Sequence, residues 1–187
     1  PSISFDPPDG KLYVGSKDVI TCVLTGTQTP QGTFTLTAKP DDKLLLSLDN
    51  THAQIKPPAG SDVYNKAGET QVTCSWQGTS SGSAQGTLQV TVSAPSVSFD
   101  PPDGKLYVGS KDVIKCVLTG TQTPEGTFTL TAQPDDKLLL SLDNTHAQIK
   151  PPAGSDVYKK TGETQVTCRW QGTSDGPVEG TLKVTVL

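Results

Sequence analysis

The sequence has little charge of either sign and no long apolar run. Its 187 residues carry 15 Lys and Arg against 19 Asp and Glu, a formal net charge of −4. A protein that binds nucleic acid needs a basic face to pair with phosphates, so this balance argues against that class. A membrane-spanning helix needs about 18 consecutive apolar residues, and no run reaches that length. We therefore expect no nucleic-acid partner and no membrane contact by this segment.

The N-terminus lacks the features of a secretory signal peptide. No basic segment precedes an apolar stretch there, and the first residue is Pro1 rather than Met. We interpret the chain as a piece of a longer protein whose targeting and anchoring signals lie outside it.

Signatures of catalysis and of bound zinc are also missing. The sequence contains no G-x-S-x-G motif, which would mark a serine nucleophile. His52 and His146 stand in identical Asn-Thr-His-Ala segments, where we expect exposed turn residues. No Cys-x-x-Cys pair or nearby pair of histidines suits zinc. The sequence therefore predicts a protein that is not an enzyme and needs no cofactor.

What the chain does contain is a repeat. Residues 1–93 recur as residues 95–187 with a period of 94, and 80 of the 93 aligned positions are identical. We predict two domains, 1–93 and 94–187, that are near-identical copies. The function must then belong to one small domain or to two in a row, which disfavours a deep catalytic cleft in a larger fold.

Each copy has two cysteines, 52 residues apart. Cys22 and Cys74 belong to the first copy, and Cys116 and Cys168 belong to the second. Their flanking segments are β-rich, and two central strands on facing sheets would bring the sulfurs together. We predict one disulfide within each copy, and two buried free thiols are the alternative. Disulfides imply an oxidising location, at a cell or virion surface, in the periplasm or outside the cell.

Short alternating segments predict β-strands. Thr33–Ala38 alternates polar and apolar residues, with Phe34 and Leu36 on one face, and Gly86–Val92 does the same. Pro, Asp and Gly separate these segments, and no stretch keeps a helical period over more than two turns. The run Leu44–Leu48 is ambiguous, and its length favours a strand. The predicted strands of the first copy are Ser2–Phe5, Leu12–Val14, Asp18–Thr25, Thr33–Ala38, Lys43–Leu48, Ala53–Lys56, Thr70–Trp76 and Gly86–Ser93.

Seven or eight short strands in about 93 residues predict an all-β fold of two packed antiparallel sheets. The chain resembles two tandem immunoglobulin-like domains in its size, its strand count and the placement of its cysteines on two central strands. Two family signatures are missing. Phe34 stands where the family has a core Trp, and Val72 stands where it has the Tyr before the second Cys.

These departures make the chain more similar to the divergent immunoglobulin-like repeats of bacterial and phage surface proteins than to antibody or receptor domains. Trp76 and Trp170 follow the second Cys of each copy by two residues, so we expect them to point inward like that Cys. Tyr13, Tyr64, Tyr107 and Tyr158 are expected to be partly exposed at sheet edges.

The two copies differ mainly at polar positions. These include Thr21/Lys115, Gln31/Glu125, Lys39/Gln133, Ser75/Arg169, Ser81/Asp175, Gln85/Glu179 and Gln89/Lys183. We expect these side chains to face outward. The predicted core, identical in both copies, comprises Phe5, Leu12, Val14, Ile20, Cys22, Leu24, Phe34, Leu36, Leu46, Val72, Cys74, Trp76, Leu88 and Val90 with their repeats.

The junction between the copies is short and contains proline. Pro95 fixes its own φ and biases Ala94 towards an extended conformation. We predict an end-to-end rod with limited bending rather than two freely tethered domains.

Acidic residues near that junction offer a candidate metal site. Asp100 and Asp103 lie in an Asp-Pro-Pro-Asp-Gly segment that recurs from Asp6 to Gly10. Carboxylates at a domain junction can hold Ca²⁺, which takes six to eight oxygen ligands. The same segment suits an ordinary turn, so we expect no metal as the first interpretation and Ca²⁺ at Asp100 and Asp103 as the second.

Two functions agree with these observations. The first is a non-enzymatic structural spacer in an adhesin-like stalk of an extracellular surface protein, which presents a binding region elsewhere. The second is a binding module that engages a host-cell or partner-cell protein or glycan through its loops or an open edge strand, with avidity from tandem copies. The candidate loops are 25–32 and 77–86, and the sequence identifies no binding residue in them.

Overall fold

The computed structural model describes residues 1–28, 31–80, 82–173 and 176–187. The chain divides into two compact units, Pro1–Ala94 (domain 1) and Pro95–Leu187 (domain 2). All regular structure in the described residues is β-strand. None of those residues belongs to a helix long and apolar enough to cross a membrane.

Each domain contains eight strands. Those of domain 1 are β1 (Ser2–Asp6), β2 (Lys11–Tyr13), β3 (Ile20–Thr25), β4 (Gly32–Lys39), β5 (Ser47–Asp49), β6 (Gln54–Lys56), β7 (Gly68–Gly78) and β8 (Ser83–Ser93). Those of domain 2 are β9 (Ser96–Asp100), β10 (Lys105–Leu106), β11 (Ile114–Thr119), β12 (Gly126–Gln133), β13 (Ser141–Asp143), β14 (Gln148–Lys150), β15 (Gly162–Gly172) and β16 (Val178–Val186).

The strands of domain 1 form two four-stranded sheets. The first sheet has the order β1-β3-β6-β5, and the second has the order β2-β8-β7-β4. All pairings are antiparallel except that of β2 with β8, which is parallel. Domain 2 repeats both orders with its own strands. We call the sheet that contains β8, and its equivalent with β16, sheet two.

A disulfide joins the two sheets of each domain. It links Cys22 on β3 to Cys74 on β7, and Cys116 to Cys168 in domain 2. Two packed sheets with this strand order and a disulfide between their second and penultimate long strands define an immunoglobulin-like sandwich. The predicted fold and the predicted disulfides are confirmed.

The core of each sandwich lies between the sheets and follows the alternation of the strands. Most predicted core positions are buried, and Val14, Leu24, Phe34 and Leu88 are half-buried. The prediction is wrong for Val108, the repeat of Val14, which is 47% exposed. Residues outside the predicted core are buried too. In domain 1 the hydrophobic ones are Leu45, Ala53, Ile55, Tyr64 and Val92.

The predicted strand Lys43–Leu48 is wrong over its first four residues, because β5 begins at Ser47. The Asp42 side chain accepts a hydrogen bond from the Leu44 amide at 2.9 Å, and its carbonyl accepts one from the Leu45 amide at 3.1 Å. These bonds fold the backbone into a turn, and only β5 remains extended. Because a turn does not alternate faces, Leu45 and Leu46 are both buried while Leu44 is 70% exposed.

The prediction for Tyr64 and Tyr158 is also wrong, because both are fully buried. Each lies in the segment between β6 and β7, or its repeat, and has no strand alternation to reveal its direction. Tyr107, by contrast, is 52% exposed.

Candidate functional site

The cysteines of each domain serve structure rather than chemistry. All four are paired, and none is more than 9% exposed. A paired, buried sulfur is neither a nucleophile nor a metal ligand. The disulfides therefore stabilise the sandwich and leave no thiol for catalysis.

The Trp on β7 packs at the end of the sandwich where β4 begins. Trp76 is 1% exposed and points inward, as the sequence predicts. Its indole lies so near the Gly32 backbone that a Cβ on Gly32 would come within 2.7 Å of Trp76 Nε1. Trp170 has the same relation to Gly126. The carbonyl oxygen of Gln77 lies nearer still, so this oxygen and the indole together explain a glycine at the first position of β4, as Gln171 and Trp170 do for β12.

The second candidate binding loop is smaller than the sequence predicts, whereas the first lies between the end of β3 at Thr25 and the start of β4 at Gly32, as predicted. β7 extends to Gly78 and β8 begins at Ser83, so most of the segment 77–86 belongs to a paired hairpin. Its register runs to Gln77 opposite Ser83. Residues 29, 30, 81, 174 and 175, which include the predicted Ser81/Asp175 difference, lie outside the described part of the chain.

His52 lies in the turn between β5 and β6. Its Nδ1 donates to Asp49 Oδ2 at 2.8 Å, and its side chain is 68% exposed. This hydrogen bond is the main cause that lowers the pKa of Asp49 to about 2, and Lys56 adds a weaker contact. His146, Asp143 and Lys150 repeat the arrangement. The histidine is an exposed turn residue, as expected.

The two predicted Ca²⁺ ligands, Asp100 and Asp103, differ from each other in their contacts. Asp103 Oδ1 accepts a hydrogen bond from the Lys105 amide at 3.1 Å, which is the bond of an ordinary turn. Asp100 ends β9 opposite Lys115. The described residues contain no group of three or more His, Cys, Asp or Glu side chains placed to hold a metal. Calcium binding at Asp100 and Asp103 stays a prediction that a calcium titration can test.

The outer face of sheet two carries many of the polar differences between the copies. Four of the predicted outward pairs lie there, and they are Lys39/Gln133, Ser75/Arg169, Gln85/Glu179 and Gln89/Lys183. In domain 2 two of these changes face each other, because Arg169 lies directly opposite Glu179. Opposite charges at directly facing positions stabilise a sheet modestly. Both faces carry charges of each sign, and domain 2 adds the facing pair of Arg169 and Glu179 where domain 1 has Ser75 and Gln85.

A groove of about 430 Å³ lies on this face of domain 2. It is lined by Gln133, Pro134, Glu163, Thr164, Gln165 and Lys183. Sequence reasoning did not find it, since its residues come from three strands. The differences Lys39/Gln133 and Gln89/Lys183 were the available signal, because both fall among the lining positions.

No protein-family model and no curated protein matches the sequence. Among solved structures, the chain is similar to Drosophila N-cadherin EC1-4 (13% identity, TM-score 0.34), covering 100% of this chain and 49% of that one. It is similar to mouse cadherin-23 EC22-24 (13%, TM-score 0.36), covering 99% and 66%. It is similar to domains 4 and 5 of the S-layer protein SbsC (16%, TM-score 0.40), covering 99% and 97%.

The chain therefore spans about half the length of the N-cadherin fragment. TM-scores this low carry no argument about function. The assignment to the immunoglobulin-like fold rests on the strand order and the intersheet disulfide of each domain.

Proposed function

We propose that the two domains are non-enzymatic spacer repeats of an extracellular surface protein of the bacterial or phage type. They would form part of an adhesin-like stalk that presents a binding region elsewhere in the longer chain. The observation that carries this proposal is that each copy is complete by itself. Each has two sheets, its own buried core and its own disulfide.

Completeness of each copy matters because a spacer must add length without depending on its neighbours. A repeat with its own core folds wherever it stands in the array, so copy number can set reach. The buried disulfides support an oxidising, extracellular setting. The short Pro95 junction supports the prediction of limited bending.

Small-angle X-ray scattering tests the spacer on chains of one, two and four copies. We expect the maximum dimension to rise by an equal step with each added copy. A flexible glycine-serine junction in place of Ala94 and Pro95 is the matched control, and it should broaden the distance distribution. A broad, compact distribution for the native junction would count against the spacer.

A binding module is the second candidate, and the groove on domain 2 favours it, because four of its six lining residues recur in domain 1. In this alternative, a domain engages a partner-cell protein or glycan. Saturable binding through residues that both copies share, at micromolar affinity or better, would replace the spacer with this function. A glycan array and a cell-binding assay with the two-domain chain make that measurement.

A further inference from the structure

The groove on domain 2 lies across three neighbouring strands of sheet two. Gln133 on β12 faces Gln165 on β15, and Gln165 faces Lys183 on β16. The three side chains point outward and form one row, with Cβ atoms of neighbours roughly 5 Å apart. Glu163 lies beside this row, with Oε2 at 3.5 Å from Lys183 Nζ.

One wall of the groove is held by a buried hydrogen bond. Thr164 is 4% exposed, and its hydroxyl donates to the Pro134 carbonyl at 2.7 Å. Domain 1 contains the same bond, from Thr70 to the Pro40 carbonyl at 2.7 Å. The framework of this region is therefore shared by both copies, and only its polar lining differs.

The lining side chains determine which ligand chemistry suits the groove. Two amides, one ammonium and one carboxylate offer several hydrogen-bond donors and acceptors side by side. The ammonium and the carboxylate neutralise each other, so the groove selects no ligand by net charge. Hydroxyl groups both donate and accept, which matches this mixed set, and the exposed Pro134 ring offers an apolar surface to the C–H face of a sugar.

We propose that this groove is a binding subsite for a neutral oligosaccharide and that it is specific to domain 2. Its volume of about 430 Å³ lies within the range of small-molecule sites, roughly 300–1,000 Å³. The proposal goes beyond the spacer function, because a stalk repeat does not need a ligand. It differs from the general binding module because its restriction to domain 2 rests on the two lining residues that the copies do not share, Gln133 and Lys183.

Domain 1 supplies the internal comparison. Its equivalent positions are Lys39, Pro40, Glu69, Thr70, Gln71 and Gln89, and only two of the six differ from domain 2. In domain 1 the lysine of the row lies on β4, and Gln89 stands where domain 2 has Lys183. Glu69 therefore has no lysine ammonium beside it at position 89. In domain 1 the cation of the row is Lys39, which lies at the β4 end.

Nuclear magnetic resonance titration of the whole two-domain chain tests the subsite. The probes are maltotriose, cellotriose and N,N′,N″-triacetylchitotriose, with sialyllactose and the peptide Ser-Gln-Ser as comparators. We expect at least one neutral trisaccharide to shift the backbone amides of Gln133, Gln165 and Lys183 in a saturable manner. The equivalent amides of domain 1 should stay unchanged.

Exchange of the two differing residues provides the matched variants. Gln133→Lys with Lys183→Gln gives domain 2 the lining of domain 1, and we expect it to weaken binding at least about tenfold. Lys39→Gln with Gln89→Lys gives domain 1 the lining of domain 2, and we expect saturable shifts to appear there. Both variants use residues already present at the equivalent positions, and a thermal melt verifies that they fold.

Several outcomes would overturn the subsite. These are the absence of saturable shifts with all three neutral trisaccharides, equal shifts in both domains, and shifts that survive the exchange in domain 2. Saturation by sialyllactose or by the peptide alone would overturn the ligand class. None of these results bears on the scattering test, so the spacer proposal and the subsite fail separately.

Discussion

The hydroxyl of Tyr64 donates a 2.8 Å hydrogen bond to the carbonyl oxygen of Asp18, 46 residues earlier in the chain. The ring is fully buried, and it ties the segment before β7 to the segment before β3. Tyr158 makes the same bond to Asp112. The family's tyrosine before the second Cys is absent here, and a tyrosine ten residues before Cys74 bonds to the backbone instead.

Tyr64→Phe should destabilise domain 1 by about 1–3 kcal/mol, because it removes the donor to a part-buried carbonyl and keeps the ring. Urea unfolding followed by domain-resolved amide signals measures the change. Tyr107→Phe is the control, since that side chain is 52% exposed, and it should have little effect. Equal losses of unfolding free energy in the two variants would show that the buried hydrogen bond does not stabilise domain 1.

The free energy of unfolding should fall at strongly alkaline pH because Tyr64 and Tyr158 are buried in their protonated form. Burial raises the pKa of Tyr64 and Tyr158 above the ordinary value of 10.0. The unfolded chain then loses its tyrosine protons before the folded chain does. The stabilisation is complete below pH 10 and is lost as the pH rises through the folded pKa. The unfolding free energy measured from pH 9 to 12 should fall less steeply in the double variant Tyr64→Phe/Tyr158→Phe; an unchanged slope would contradict this.

Acid should weaken each domain through Asp49 and Asp143. Their pKa values lie at about 2, below the ordinary 3.8, mainly because His52 and His146 donate hydrogen bonds to them. The stabilisation is present above pH 3.8 and is lost as the pH falls through 2. Carboxyl chemical shifts followed against pH report both values directly. In His52→Ala, the midpoint of Asp49 should move up while that of Asp143 stays in place; a fixed Asp49 midpoint would refute the assigned cause.

Removal of one disulfide should affect one domain. Cys22→Ala/Cys74→Ala opens a loop with a sequence separation of 52 and should cost domain 1 about 4 kcal/mol in the chain-entropy model. Domain 2 keeps its own disulfide and serves as the internal control, so its unfolding midpoint should stay the same. Titration of the unsubstituted, unreduced chain in denaturant should find no free thiol. Four free thiols would contradict both disulfides.

Asn50 should protect the open edge of β4. Its side-chain oxygen accepts the Leu36 amide at 2.9 Å, and Asn144 does the same for Leu130. Asn50→Leu removes the acceptor, so the Leu36 amide should exchange its hydrogen faster and domain 1 should lose about 1 kcal/mol. Asn50→Asp keeps an acceptor and is the matched control. Unchanged exchange in Asn50→Leu would show that the bond does not protect the edge.

The sequence predicted the strands well where side chains alternate along an extended backbone. Thr33–Ala38 and Gly86–Ser93 lie within β4 and β8, and the Cys on β3 meets the Cys on β7 as expected. Prediction failed where a side chain controls the backbone. The Asp42 carboxylate bends the leucine run into a turn, and nothing in the alternation of that run reports this bond.

The candidate subsite could not be predicted from the sequence, because it depends on the register between strands. Its row joins residues 133, 165 and 183, and cross-strand register depends on hairpin pairing that composition does not specify. The sequence did show that Lys39/Gln133 and Gln89/Lys183 differ. It could not show that both changes lie on one row of one face.

The sequence by itself determined the repeat, the all-β class, the cysteine pairs and most of each core, because local alternation and internal identity record these features directly. Only the tertiary structure decided that Tyr64 is buried, that Leu44 is exposed, and that four polar differences share the outer face of sheet two. These features depend on contacts between segments far apart in the chain. Such contacts are set by the packing and register of whole sheets, and no local pattern encodes them.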